Sequence, residues 1–164
     1  MPFTILIMGL PGAGKTTLSR ALATRLDAAH FNADEVRTRV SRDLGFSIED
    51  RIEHARRMRG LCDQTTHAGR HAIADFVCPT EETRAAFGPA FIVWVDRIRE
   101  GRYPDTNRLF VPPAKVDVHV AAQQTPEYWA GAIVRMLRPA IGPKFPFEAG
   151  FLASNVRNLA SRSS

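Results

Sequence analysis

The 164-residue sequence has little cysteine, only Cys62 and Cys78, with no paired framework and no metal-ligand spacing between them. A disulfide scaffold is excluded on that count, and the location expected is the cytoplasm. Long apolar runs are also missing. None approaches the roughly 18 to 20 residues needed to cross a bilayer, although the hydrophobic fraction of 45% is ordinary for a globular protein. The apolar stretch Phe3–Met8 has no basic lead and no small-residue cleavage site, so it reads as a core strand and not as a signal. Lysine is scarce: of 22 basic residues, 19 are arginine and three are lysine, one of them Lys15. Arginine favours planar, bidentate contact with phosphate or sulfate, which suits an anionic partner; a codon bias against lysine reads equally well. The formal charge of +5 does not by itself imply nucleic acid, because basic stretches interleaved with aromatics are missing. Internal repeats and low-complexity tracts are absent too.

What is present is alternation. Apolar runs at Phe3–Met8, Ala29–Phe31, His71–Val77, Phe91–Val95 and Val116–Val120 are separated by helical stretches at Lys15–Leu26, Ala33–Val40, Ile48–Gly69, Thr80–Phe87 and Pro126–Leu137. Such repetition predicts an α/β fold with five strands in one parallel sheet flanked by helices. Within Ile48–Gly69 the positions Ile48, Ile52, Ala55, Met58, Cys62 and Thr65 step by three and four, marking one buried face, with Arg51, His54 and Arg57 on other faces. Two segments break the pattern and are expected to be irregular: Arg97–Pro113, and the tail from Arg138, with Pro139, Gly142, Pro143, Pro146 and Gly150. The organisation expected is one domain over 1–138 and a tail over 139–164. Because the tail carries Phe145, Phe147, Phe151 and Leu152, it is expected to pack on the domain or on a partner.

The segment Gly9-Leu-Pro-Gly-Ala-Gly14-Lys15-Thr16 fits G-x-x-x-x-G-K-S/T between an apolar strand and a helix, which is the context a phosphate loop requires. A P-loop NTPase fold follows. Glycines let successive backbone N–H groups face phosphates, and the helix N-terminus adds its dipole. The expected ATP contacts are Gly9, Pro11, Gly12, Ala13, Gly14, Lys15, Thr16 and Thr17, with Lys15 reaching the β and γ oxygens and the Thr16 hydroxyl coordinating Mg2+. The guanine-specifying N-K-x-D is missing, which points to ATP as the nucleotide.

Beyond the loop come Asn32-Ala33-Asp34-Glu35-Val36-Arg37, Leu44-Gly45-Phe46-Ser47, Glu49-Asp50-Arg51-Ile52-Glu53 and Arg56-Arg57. In order and spacing, residues 3 to 85 resemble the adenylylsulfate kinase family, whose members phosphorylate the 3′-hydroxyl of adenosine 5′-phosphosulfate. The resemblance implies that Asp34 and Arg37 match D-G-D-N-x-R, Asp34 acting on the attacking hydroxyl and Arg37 holding the substrate anion. It further implies that Phe46 stacks on the substrate's adenine, that Arg51 is the second anion-binding arginine, and that His54 and Val77 lie beside the substrate. Other readings stand alongside: Asp34 as a helix N-cap, Phe46 as core packing, His54 as a surface histidine.

The sequence departs from the family at several points. Asn32 and Glu35 break the acidic motif, and His54 replaces an asparagine. Asp75-Phe76-Val77-Cys78-Pro79 aligns with S-F-I-S-P, with Cys78 in place of a serine that some members phosphorylate; Cys78 reads as a small buried residue. The family's long lid shrinks to Arg99-Glu-Gly-Arg-Tyr-Pro-Asp-Thr-Asn-Arg-Leu-Phe, where Arg97, Arg99, Arg102 and Arg108 are candidates for charge stabilisation and Tyr103 for the lid aromatic. The expectation is an ATP- and Mg2+-dependent kinase with Lys15 and Asp34 catalytic and a small anionic acceptor. No membrane or nucleic-acid partner is expected, and a homodimer stays open. A sugar-like acceptor, or an ATP-dependent binding module without phosphoryl transfer, are the alternatives.

Overall fold

The structure is a computed structural model that describes residues 1–141. Five strands, β1 (Thr4–Met8), β2 (Ala29–Asn32), β3 (Ala72–Asp75), β4 (Phe91–Val95) and β5 (Val118–Val120), alternate with helices α1 (Lys15–Leu26), α2 (Ala33–Arg39), α3 (Ile48–His67), α4 (Glu81–Phe87), α5 (Pro104–Leu109) and α6 (Pro126–Ile141). All pairings are parallel and the sheet order is β2-β3-β1-β4-β5. The parallel sheet expected from alternation is therefore present, with β1 at its centre.

A central parallel strand is covered on both faces, which is why β1 reads as an unbroken apolar run. Its side chains alternate between two cores. Ile5 and Ile7 pack with Leu18, Leu22 and Leu26 of α1 and with Trp129 and Ile133 of α6. Leu6 and Met8 face Ala55, Met58 and Cys62 of α3 and Phe87 of α4. Helix starts are set by local caps: the Ser47 hydroxyl accepts from the Asp50 N–H, and Thr80 and Thr83 form a reciprocal capping box.

Three expectations need correction. Arg97–Pro113 is not wholly irregular, because Pro104 opens the six-residue α5, its fixed φ suiting a first helical position. The buried stripe of α3 excludes Ile48, which is 52% exposed, and includes His54, which is 3% exposed. α6 runs past the boundary expected at 138, through Pro139 to Ile141. The aromatic tail residues lie outside the described residues. Among those described, no helix is long and apolar enough to cross a membrane.

Candidate active site

At the C-terminal ends of parallel strands the chain reverses into loops, and ligands collect in the crevice there. β1 runs straight into Gly9, whose φ of +148° leaves no room for a side chain: a Cβ would stand 2.3 Å from the Val95 carbonyl oxygen. The loop then folds on itself. The Ala13 N–H donates to the Leu10 carbonyl at 3.1 Å, and Lys15 Nζ donates to the same oxygen at 2.9 Å. Ala13 is buried in the core, so Ala13 and Gly9 shape the loop, while Pro11, Gly12, Gly14, Lys15, Thr16 and Thr17 line a cavity of about 440 Å³. Helix α1 begins at Lys15 with neither a side-chain cap nor an acidic residue in its first turn. Its orphan N–H groups and positive dipole end are left for an anion. Burial, partly offset by the Asp75 and Asp34 charges, lowers the Lys15 pKa.

Asn32 closes β2 and caps α2, its Oδ1 accepting from the Asp34 and Glu35 N–H groups. Asp34 is thus not the cap, and its exposed carboxylate lines the cavity. The Asn32 amide also donates to Thr16 Oγ1 and to Asp75 Oδ2, each at 3.0 Å. Asp75, at the end of β3, is opposite Asn32 in the ladder and is 1% exposed. Its Oδ2 takes a second contact, His30 Nε2 at 3.1 Å, while Oδ1 is buried with no hydrogen-bond partner. Burial pushes the Asp75 carboxyl up, but hydrogen bonds from His30, Asn32 and Thr16, with the Lys15 charge, outweigh it and leave the pKa lowered. Sequence reasoning passed over Asp75; an acid ending a buried strand beside a phosphate loop was the available signal.

The acceptor candidates Asp34, Arg37, Phe46, Arg51, His54 and Val77 all line the same cavity, as does Cys78. Phe46 is 68% exposed, which removes the core-packing reading, and the Arg37 and Arg51 guanidiniums lie 4.5 Å and 5.5 Å from its ring centre. Both arginines are held by neutral oxygens. Arg37 donates to the Gly45 carbonyl, and Arg51 donates to the Phe46 carbonyl and the Thr106 hydroxyl. Burial, and for Arg37 then the Arg51 charge, lowers both pKa values. Two positive forks with donors to spare can hold an anion. His54 is buried, edge-on to Phe76, and neither ring nitrogen makes a hydrogen bond of normal geometry. Its pKa falls to about 4, through burial and then the Arg37 charge, so it is neutral at physiological pH. Cys78 is fully buried with φ +47°, and burial lifts its thiol to about 12, as expected of an inert packing residue.

The short segment after β4 sits directly on the phosphate loop. Gly101 abuts Pro11 so closely that a Cβ would lie 2.9 Å from the proline ring, and Asn107 bonds both Gly101 N–H and carbonyl. Arg102 and Tyr103 reach the main cavity. Arg97 lines a second space of about 120 Å³ beside Gly14, Thr17, Pro126 and Trp129, held there by Gln123. Arg108 pairs with Asp105, and exposed Arg99 lines neither space.

With this geometry in place, similarity to known proteins is informative. A profile described as Adenylylsulphate kinase matches residues 1–91. The adenylyl-sulfate kinase of Shewanella sp. (strain MR-4) is 32% identical over 179 aligned positions, covering 96% of this chain and 80% of that protein. The bifunctional enzyme CysN/CysC of Rhodopirellula baltica is 38% identical over 92 positions, 53% of this chain but only 14% of that longer protein. The solved APS kinase of Mycobacterium tuberculosis, in complex with AMPPNP and APS, superposes with a TM-score of 0.71 at 20% identity, over 84% of this chain and 99% of that one. That likeness is one of fold. Matched by the family profile over residues 1–91 and by a relative 32% identical over 96% of its length, the chain belongs to the adenylylsulphate kinase family.

Proposed function

We propose that the protein transfers the γ-phosphoryl group of ATP to a hydroxyl of adenosine 5′-phosphosulfate. One observation carries this reading: Lys15 and Thr16 of the phosphate loop line the same cavity as Asp34, Arg37 and Arg51, so a bound triphosphate and an anionic acceptor meet in one space. The loop's N–H groups and Lys15 bind the phosphates. Arg37 and Arg51 orient the acceptor's anionic end, with Phe46 beside them offering a ring for its base. Asp34, whose charge is felt by both Lys15 and Arg37, lies between the two ends and accepts the proton of the attacking hydroxyl. The acceptor oxygen then bonds to the γ-phosphorus as the bond to the β-phosphate oxygen breaks, leaving ADP. Arg102, close enough to Lys15 for its charge to act there, stabilises charge on the transferring group.

The oxygen donors near the loop fit magnesium. Among the described residues no group of three or more His, Cys, Asp or Glu gathers as a metal cage, and Mg2+ prefers a few protein oxygens supplemented by water and phosphate. Thr16 would hold it, and when bound it neutralises charge between the β and γ oxygens. The smaller space lined by Thr17, Pro126 and Trp129 takes the nucleotide's base end. The test is ADP release with adenosine 5′-phosphosulfate against sugars and phosphorylated metabolites. Turnover with a sugar alone would replace the acceptor assignment, and ATP binding with no acceptor-dependent release would make the protein a binding module.

A further inference from the structure

We propose that Trp129 reads the base of the bound nucleotide, its indole N–H donating to a ring-nitrogen lone pair of that base. The inference deepens the reading that the smaller space takes the nucleotide's base end, and it rests on that reading.

The space lies where β4 and β5 end. Val95 and Val120, the last residues of those strands, line it beside Trp129. Gly14 and Thr17 line both this space and the main cavity, so a nucleotide with its phosphates on the loop extends from one into the other. Trp129 stands in the first turn of α6, where the Thr125 hydroxyl accepts from the Tyr128 N–H and the Thr125 carbonyl accepts from the Trp129 backbone N–H.

Packing holds the indole in place. Trp129 is 4% exposed, shares the core of Ile5, Ile7 and Leu18, and meets Tyr128 edge-on with ring centres 5.4 Å apart. Its Nε1 is buried and has no hydrogen-bond partner among the described residues. Buried indole N–H groups ordinarily find an acceptor, and one left alone calls for an explanation. Phenylalanine would fill the same core without stranding a donor. Arg97 repeats the deficit: its Nη2 donates to Gln123 Oε1 at 2.6 Å, while its Nε is buried without a partner. Both orphaned atoms are donors, both belong to side chains lining this one space, and neither Asp nor Glu is among the described residues that line it. The missing partner is therefore an acceptor that the ligand brings. Adenine carries in-plane lone pairs at N1, N3 and N7, and an N–H donor fixed in a pocket wall reads such base edges.

The experiment follows the indole N–H resonances of 15N-labelled protein while ADP is added, and then its 1-deaza, 3-deaza and 7-deaza analogues, each of which replaces one ring nitrogen by C–H. The chain has two tryptophans, and Trp94, stacked on His119 and lining neither space, is the internal control. ADP is expected to move the Trp129 Nε1 proton downfield and slow its exchange with solvent, leaving Trp94 unmoved. One analogue should lose that shift and bind roughly 3- to 10-fold more weakly, the scale of one neutral hydrogen bond. Trp129→Phe should weaken ADP by the same factor and bind that analogue as well as ADP. A shift retained with all three analogues overturns the proposal. If the variant melts below the assay temperature, the wild-type resonance decides alone. A moved Val120 amide with an unmoved indole proton overturns this inference and leaves the base-end reading standing, whereas an unmoved Val120 overturns both. No acceptor is present, so the acceptor assignment is not at stake.

Discussion

Gly9 rests against Val95 with no space for a methyl group: the carbonyl oxygen of Val95 occupies the place of a Cβ, 2.3 Å away, and the backbone φ of +148° disfavours any L side chain. This contact ties the start of the phosphate loop to β4. Gly9→Ala is expected to lower stability by roughly 1 to 3 kcal/mol, the strain of a disallowed backbone region, and to weaken nucleotide binding. Gly60 is the control, because a Cβ there meets nothing within 4 Å. On an exposed helix interior Gly60→Ala should stabilise by about 0.5 to 1 kcal/mol. Thermal melting of both variants checks the pair, and equal melting temperatures would contradict the strain argument.

Lys15→Ala is expected to abolish most turnover while leaving the fold intact. Its ammonium bonds a loop carbonyl and otherwise faces the phosphate site, so deletion removes charge at the reacting group and little core contact. A loss of roughly 10²- to 10³-fold in kcat is the scale for a missing electrostatic donor. Near-normal kcat would dismiss the phosphate-loop assignment.

Asp34 and the two arginines should fail differently. Asp34→Asn is expected to depress kcat by roughly 10² to 10⁴ with ATP affinity nearly unchanged, the contribution of a positioned base. Arg37→Ala and Arg51→Ala should instead raise the acceptor KM, each losing a charge-assisted contact worth roughly 1.5 to 3 kcal/mol. Steady-state kinetics with adenosine 5′-phosphosulfate, beside equilibrium ATP binding, separates these outcomes; weakened ATP binding in all three variants would sink the division of roles.

His54 makes stability depend on pH in a defined window. Burial, and then the Arg37 charge, hold its pKa at about 4 in the folded protein, below the ordinary histidine value of about 6.5. Between these values the unfolded chain binds a proton that the folded chain does not, so stability falls as pH drops from about 6.5 to 4 and is unaffected by this group above that range. Across the window the slope approaches about 1.4 kcal/mol per pH unit. His54→Asn should flatten this part of the melting-temperature profile. Parallel profiles for variant and wild type would show that another group carries the effect.

The sequence by itself determined the sheet and the phosphate loop, because both are local: β1 must be apolar throughout to lie between two helical layers, and the loop's spacing is read along a single stretch of chain. It also marked Asp34, Arg37, Phe46 and Arg51, each inside a contiguous motif. What it left open was decided by contacts far apart in sequence. Asp34 is left facing the cavity because Asn32, and not Asp34, caps α2. Phe46 is an exposed lip of the cavity and not core, with two guanidiniums beside its ring. His54, polar and on a helix whose periodic face passes it by, is buried because Phe76 and the end of β3 close over it. The β2–β3 register sets Asp75 opposite Asn32, whose amide joins it to Thr16. Periodicity reports which side of an element faces the core, but which polar groups meet at the ends of neighbouring strands depends on sheet order and register, and only the tertiary structure fixes those.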